Sequence, residues 1–160
     1  MALYENPVEG IMKLLKLKQT HKLEFYTAED GTPLKLPLYE SAVEAGFPSP
    51  ADDYIELKLD LNKHLIQNPS ATFYVRVRGH SMVNAGISDG DMLIVDRSLE
   101  PKDGDVAVCV LNGEFTVKRI QMRGHHLFLV PENPSYTPIS IEKDDDFRIW
   151  GVVSYVIHKP

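Results

Sequence analysis

Asn112-Gly113 separates two runs rich in apolar and β-branched residues, Val106-Ala107-Val108-Cys109-Val110-Leu111 and Phe115-Thr116-Val117-Lys118-Arg119-Ile120. Both central positions of a type I′ turn need positive φ, which Asn-Gly accepts, so a β-hairpin is expected here. A hairpin imposes a period of two on its strands. Thr116, Lys118 and Ile120 then share one face and Phe115, Val117 and Arg119 the other, so one of the adjacent cations Lys118 and Arg119 is expected to face inward. The same pattern predicts a strand over Phe73-Tyr74-Val75-Arg76-Val77, ended by Gly79. A further strand, Met92-Leu93-Ile94-Val95, follows the turn Asp89-Gly90-Asp91, and a long closing strand runs from Phe147 to Ile157 with Trp150 in the core. Asp60 is expected to cap a short helix ending near Ile66.

With 160 residues, 43% hydrophobic and 25% charged, the chain can bury one sizeable core. The net charge of -6 argues against broad attraction to phosphate backbones and favours protein partners over bare DNA. Arg76, Arg78, Arg119 and Arg123 are the candidates for a basic patch facing a polymerase or DNA, and separate solvated arginines are the alternative. Cys109 is the only cysteine, inside an apolar strand, so it is expected to be a small buried hydrophobe with no intramolecular disulfide. No apolar run reaches the length of a membrane span, and no secretory h-region opens the chain, so a cytoplasmic protein without membrane contact is expected.

The first 44 residues differ from the rest. Ile11-Met12-Lys13-Leu14-Leu15-Lys16 is predicted to form a short basic amphipathic helix, with Ile11, Leu14 and Leu15 on one face. Leu23-Glu24-Phe25-Tyr26 and Leu34-Lys35-Leu36 are predicted to pair as a small hairpin. The chain after Gly46 continues with Phe47-Pro48-Ser49-Pro50, expected to be extended. A folded β domain is expected from about Ala51 to Lys159.

Candidate chemistry centres on Ser81 in Gly79-His80-Ser81-Met82, on a turn at a strand end. Those residues alone read first as a serine satisfying its own turn. Lys118 is the candidate base: a desolvated lysine loses proton affinity and, neutral, takes a proton from a hydroxyl. Taken alone it reads also as a surface lysine with its head in water. No histidine competes, since His80 is next to Ser81 and should point away, while His21, His64, His125, His126 and His158 are scattered. Asp89-Gly90-Asp91 lacks the other ligands of a calcium loop, and nothing has metal-ligand spacing. Neither a metal nor a cofactor is expected.

Taken in order, Ala45-Gly46, Gly79-His80-Ser81-Met82, Gly86-Ile87-Ser88-Asp89-Gly90-Asp91 with Leu93-Ile94-Val95-Asp96, and Gly113-Glu114-Phe115-Thr116-Val117-Lys118 resemble the self-cleaving domain of the LexA/UmuD family of serine peptidases, the UmuD branch above all. The resemblance runs from about Pro37 to Val156. It implies a mainly β fold, a compact LexA-like peptidase domain of twisted antiparallel strands with short helices behind an N-terminal arm. It also implies Ser81 as nucleophile, Lys118 as general base and Ala45-Gly46 as the scissile bond. The chain would then divide into an arm, 1–45, removed on self-cleavage, and a peptidase domain, 46–160. Val43 would fill a pocket as the segment lies down as an added strand, with backbone N–H groups near Ser81 holding the oxyanion.

By the same resemblance the expected activity is SOS mutagenesis. A homodimer meets a RecA–single-stranded-DNA filament, cleaves itself, and joins a UmuC-type Y-family translesion polymerase as an accessory subunit. No direct sequence-specific DNA binding is expected, because the arm is too short for the helix-turn-helix domain of LexA and phage repressors. It is longer than is typical of the UmuD branch, and the extra residues are expected to dock a partner or tune cleavage. The alternatives are a LexA-like repressor-related regulator and a noncatalytic regulator of a polymerase. Type I signal peptidases are similar in using serine and lysine, but the bacterial enzymes carry membrane anchors.

Overall fold

In the computed structural model the described residues are 14–19, 23–28, 35–39 and 55–160. They form eleven strands and one short α-helix. In chain order these are β1 (Leu14–Gln19), β2 (Leu23–Ala28), β3 (Lys35–Tyr39), β4 (Ile55–Asp60), α1 (Leu61–Leu65), β5 (Thr72–Val77), β6 (Met92–Asp96), β7 (Val106–Leu111), β8 (Glu114–Arg123), β9 (His126–Val130), β10 (Ile139–Ser140) and β11 (Phe147–Ile157). Nine strands make one sheet in the order β1-β2-β5-β6-β11-β7-β8-β9-β10, while β3 and β4 pair separately. Every neighbouring pair is antiparallel. The mainly β fold expected from the sequence is therefore present.

Alternation along the strands divides the side chains between two faces. Val75 and Val77 of β5, Leu93 and Val95 of β6, Val108 of β7 and Val117 of β8 join one apolar cluster with Met82 and Ile87. Tyr74 and Ile94 form a second cluster with Tyr26, against which Leu65 and Ile66 pack. Ala107, Cys109, Ile120 and Leu129 form a third. Burial raises the Tyr74 hydroxyl to about 12 and the Cys109 thiol to about 12, the latter opposed by the nearby Lys118 charge. Cys109 is thus the inert core residue expected.

The predicted hairpin at Asn112-Gly113 is present, with φ of 49° and 84° at the two residues and Val108 opposite Val117 in the ladder. Asp60 caps α1 as expected, its Oδ1 accepting from the N–H groups of Asn62 at 3.1 Å and Lys63 at 3.4 Å. Trp150 packs at 4.9 Å from Phe25, 5.2 Å from Phe73 and 6.1 Å from Phe115, ring centre to ring centre. This aromatic cluster ties β2, β5, β8 and β11 together.

Two expectations for the first 44 residues are corrected. Leu14-Leu15-Lys16 lies in strand β1, not in a helix, while Ile11, Met12 and Lys13 lie outside the described residues. The physical reason is in the pattern: Leu15-Lys16-Leu17-Lys18 alternates with period two, and a close antiparallel partner follows in β2. Nor do Leu23–Tyr26 and Lys35-Leu36 pair as the predicted hairpin, Leu34 lying outside the described residues. β2 is flanked by β1 and β5, and β3 pairs with β4. Alternation in β2 explains the choice, since Leu23 and Phe25 face the main cluster and are 2% and 3% exposed. Burying two such side chains is worth about 1.5–3 kcal/mol each, which a two-stranded hairpin off the core does not supply. The folded unit consequently begins well before Ala51.

Gly151 sits at an irregularity of β11, where the pairing with β7 shifts between Ile149 and Gly151. A Cβ there would lie 2.7 Å from Val95 Cγ1 and 3.3 Å from the Asp96 carbonyl oxygen. Gly151→Ala should therefore cost ~1–3 kcal/mol by overpacking, measured by urea denaturation; a neutral result would mean that β6 and β11 separate freely. Asp96 is buried at the end of β6. Burial favours its neutral acid, yet Asn68 Nδ2 donates to it at 2.8 Å, and the Ser98 N–H and hydroxyl donate at 2.7 and 2.6 Å. Together these hydrogen bonds outweigh burial and leave its pKa below the ordinary 3.8. A depressed carboxyl stabilises the fold above its unfolded pKa, and this contribution fades as pH falls through the folded one. Asp96→Asn should thus flatten the loss of melting temperature below pH 3.8, checked by melting curves from pH 6 downward.

Candidate active site

Ser81 lies in the turn that carries the chain from β5 toward β6, and that turn is fixed on both sides. Gly79 has φ of 102°, with nothing within 4 Å of where a Cβ would stand, so backbone conformation and not space selects glycine. The Gly79 N–H donates to Asp89 Oδ1 at 2.6 Å, and Asn133 Nδ2 donates to the His80 carbonyl at 2.7 Å. Immediately after the serine, Met82 is 2% exposed within the main cluster. Its carbonyl accepts from Ala85 at 3.0 Å and Ile87 at 3.2 Å. Ser81 itself stays partly exposed between a buried methionine and an exposed histidine.

Lys118 approaches from β8. It is 8% exposed, so of the two adjacent cations it is the inward one. Its Nζ donates to Ser81 Oγ at 3.2 Å, to Thr116 Oγ1 at 2.8 Å and to the Val117 carbonyl at 3.0 Å. Thr116 shares the lysine's face by the strand alternation, which is why its hydroxyl reaches the amine. Three oxygens thus meet the three donors of an ammonium group. A neutral amine would keep two and turn its lone pair toward the serine.

Arg119 points elsewhere: its guanidinium pairs with Glu132 through Nε and donates to the Gly104 carbonyl at 2.7 Å. Arg78 pairs with Glu24 at 2.5 Å, Arg123 donates to Gln121 and lies over Phe128, and Arg76 reaches the Gly90 carbonyl at 3.5 Å. These separate partners do not assemble the basic patch considered from sequence. His64, His80, His125 and His126 are exposed, and His158 Nδ1 lies 2.7 Å from Asp91 Oδ1. Asp91 also accepts from the Ser88 N–H, so Asp89-Gly90-Asp91 is the turn expected. Among the described residues no group of three His, Cys, Asp or Glu is placed to hold a metal ion, and no helix is long and apolar enough to cross a membrane.

Asp89, Thr116 and Asn133 escaped the sequence reading. Thr116 was legible as a face-mate of Lys118, but Asn133 acts on a residue 53 positions away, which no local pattern reveals. An open depression of about 340 Å³ borders the turn, lined in part by Asn84, Glu132, Asn133 and Tyr136. Val43, Ala45, Gly46, His21 and the stretch Phe47-Pro48-Ser49-Pro50 lie outside the described residues.

The antiparallel sheet thus sets Ser81, on a strand-end turn, within hydrogen-bond reach of buried Lys118. Residues 37–154 match the peptidase S24-like family. The chain is 45% identical to Protein SamA of Salmonella typhimurium over 77% of its length and 85% of that protein's. It is 44% identical to Protein ImpA of Escherichia coli over 77% and 83%, and 41% identical to Protein MucA of Escherichia coli over 75% and 82%. The chain belongs to the peptidase S24-like family. Within it, the chain is a UmuD-like SOS mutagenesis protein.

The hold on the turn is testable apart from any activity. Asp89→Ala removes the acceptor of the Gly79 N–H and should cost about 1 kcal/mol. Amide exchange at Gly79 should accelerate in the same variant; unchanged exchange would mean that the turn is held by other contacts.

Proposed function

We propose that the protein cleaves its own chain once, between Ala45 and Gly46, with Ser81 as nucleophile and Lys118 as general base. The observation that carries this reading is the 3.2 Å approach of Lys118 Nζ to Ser81 Oγ in a peptidase S24-like chain. With the lysine neutral, the Ser81 hydroxyl donates to Nζ. Its oxygen attacks the Ala45 carbonyl carbon as the proton passes to the amine. Backbone N–H groups around Ser81 hold the oxyanion. The tetrahedral adduct then breaks its bond to the Gly46 nitrogen, which leaves as an amine with the proton from Lys118. Water, deprotonated by the same lysine, hydrolyses the acyl-serine, leaving residues 1–45 with a new carboxylate and 46–160 with a new amine. Because the substrate is part of the same molecule or its dimer partner, a high effective concentration compensates for a modest dyad.

In this reading the chain is a cytoplasmic homodimer whose cleavage is promoted by a RecA–single-stranded-DNA filament. The filament contributes no chemical group and favours the conformation with Ala45-Gly46 against Ser81. The cleaved form serves a UmuC-type Y-family translesion polymerase. Partnership with protein in place of bare DNA agrees with the net charge of -6.

Alkaline pH should replace the filament. A lysine at the reference pKa of about 10.4 gains roughly several-hundredfold in neutral fraction between pH 7 and pH 10. Intact-mass analysis after incubation should show a break after Ala45 that grows over that range, is absent from Ser81→Ala and Lys118→Ala, and appears at neutral pH when filament is added. A folded wild-type chain that stays whole at pH 10 and with filament would refute self-cleavage.

A further inference from the structure

We infer that the N-terminal segment stays bound to the rest of the molecule after the chain is cut, so that the processed form is a nicked two-chain protein. The inference rests on the proposed cleavage at Ala45-Gly46 for its biological setting and on strand pairing for its content. The segment preceding that bond contains β1, β2 and β3, and two of these pair with strands that follow it. β2 pairs with β5 from Leu23 opposite Val77 to Thr27 opposite Phe73. β3 pairs with β4 from Lys35 opposite Asp60 to Tyr39 opposite Ile55. Hydrolysis of one peptide bond removes neither ladder.

Side chains of β2 are core residues on both faces of the sheet. Leu23 and Phe25 lie in the main cluster, the Phe25 ring 4.7 Å from Phe115 and 4.9 Å from Trp150. Tyr26 enters the opposite cluster with Tyr74 and Ile94. Glu24, between Leu23 and Phe25, is 7% exposed and accepts from Arg78 at 2.5 Å and from the Tyr26 hydroxyl at 2.7 Å. Departure of the segment would bare the edge of β5, expose the apolar cluster and strip Arg78 of its carboxylate three residues before Ser81. The occupant that fits this edge is the segment itself, in the register it already holds.

The full-length chain is nicked by alkaline incubation, and denaturing mass analysis confirms two fragments whose masses sum to the intact chain plus one water. Gel filtration at neutral pH should then carry both fragments in one peak at equal amounts through repeated passage. A peak of the larger fragment alone would overturn the inference. A second preparation carries the recognition sequence of a specific protease in place of Ala45-Gly46 and is cut by that protease. Failure of the wild type to nick itself therefore counts only against the proposed self-cleavage, and retention is still read. Nicked Phe25→Ala should shed the segment at least about tenfold faster than the wild type. Glu24→Gln serves in its place if Phe25→Ala lacks a cooperative urea transition before cutting. Retention equal to that of the wild type in the variant used would overturn the assignment of β2 as the anchor.

Discussion

Positive φ at Asn112 and Gly113 sets the register of β7 against β8, and register decides which side chains of β8 face the protein interior. A slip of one residue would carry Lys118 and Thr116 to the face now held by Val117, and would put Arg119 where the lysine stands. Arg119 would be no substitute, because a guanidinium does not release its proton in proteins. The two-residue turn therefore controls both core and chemistry: Val117 closes the main cluster with Val108, and Lys118 reaches Ser81.

Burial of the lysine amine is tolerated because its donors are met by Ser81 Oγ, Thr116 Oγ1 and the Val117 carbonyl. In the proposed reaction one of those three acceptors, the Ser81 hydroxyl, is the group to be activated. Loss of the ammonium proton reverses that hydrogen bond, making the serine the donor, while threonine and carbonyl go on accepting. In that reading a single proton separates the arrangement seen here from the reactive one, without any movement of the backbone. Asp89, Asn133 and buried Met82 hold the turn while that change occurs.

Local signals in the sequence sufficed where the physics is local. The type I′ turn, the cap at Asp60 and the closing strand with Trp150 each follow from residues within a few positions of one another. Alternation also reduced the inward cation to Lys118 or Arg119, and the family resemblance selected the lysine. Its meeting with Ser81, 37 residues away, is a product of sheet order, which no periodicity encodes. The same gap explains the misplaced helix and hairpin. Leu14 and Leu15 satisfy a helical stripe over too few residues to outweigh the Leu-Lys alternation, and Leu23 and Phe25 gain more by joining β5 than by pairing with a neighbour in sequence.

Placement of β3 and β4 on either side of residues 40–54 bears on how a cut there behaves. The two strands are antiparallel partners, Tyr39 facing Ile55, so both flanks of the intervening stretch are anchored. In the proposed reaction the new Gly46 amine therefore does not diffuse away when the acyl-serine forms. It remains at high effective concentration beside the ester and can attack it again, restoring the peptide bond. Net cleavage then requires water to reach the ester before the amine returns, so the fate of the segment after the bond breaks helps set the rate of processing. An activator that displaces residues after Gly46 would speed net cleavage even if it left the Ser81–Lys118 contact untouched.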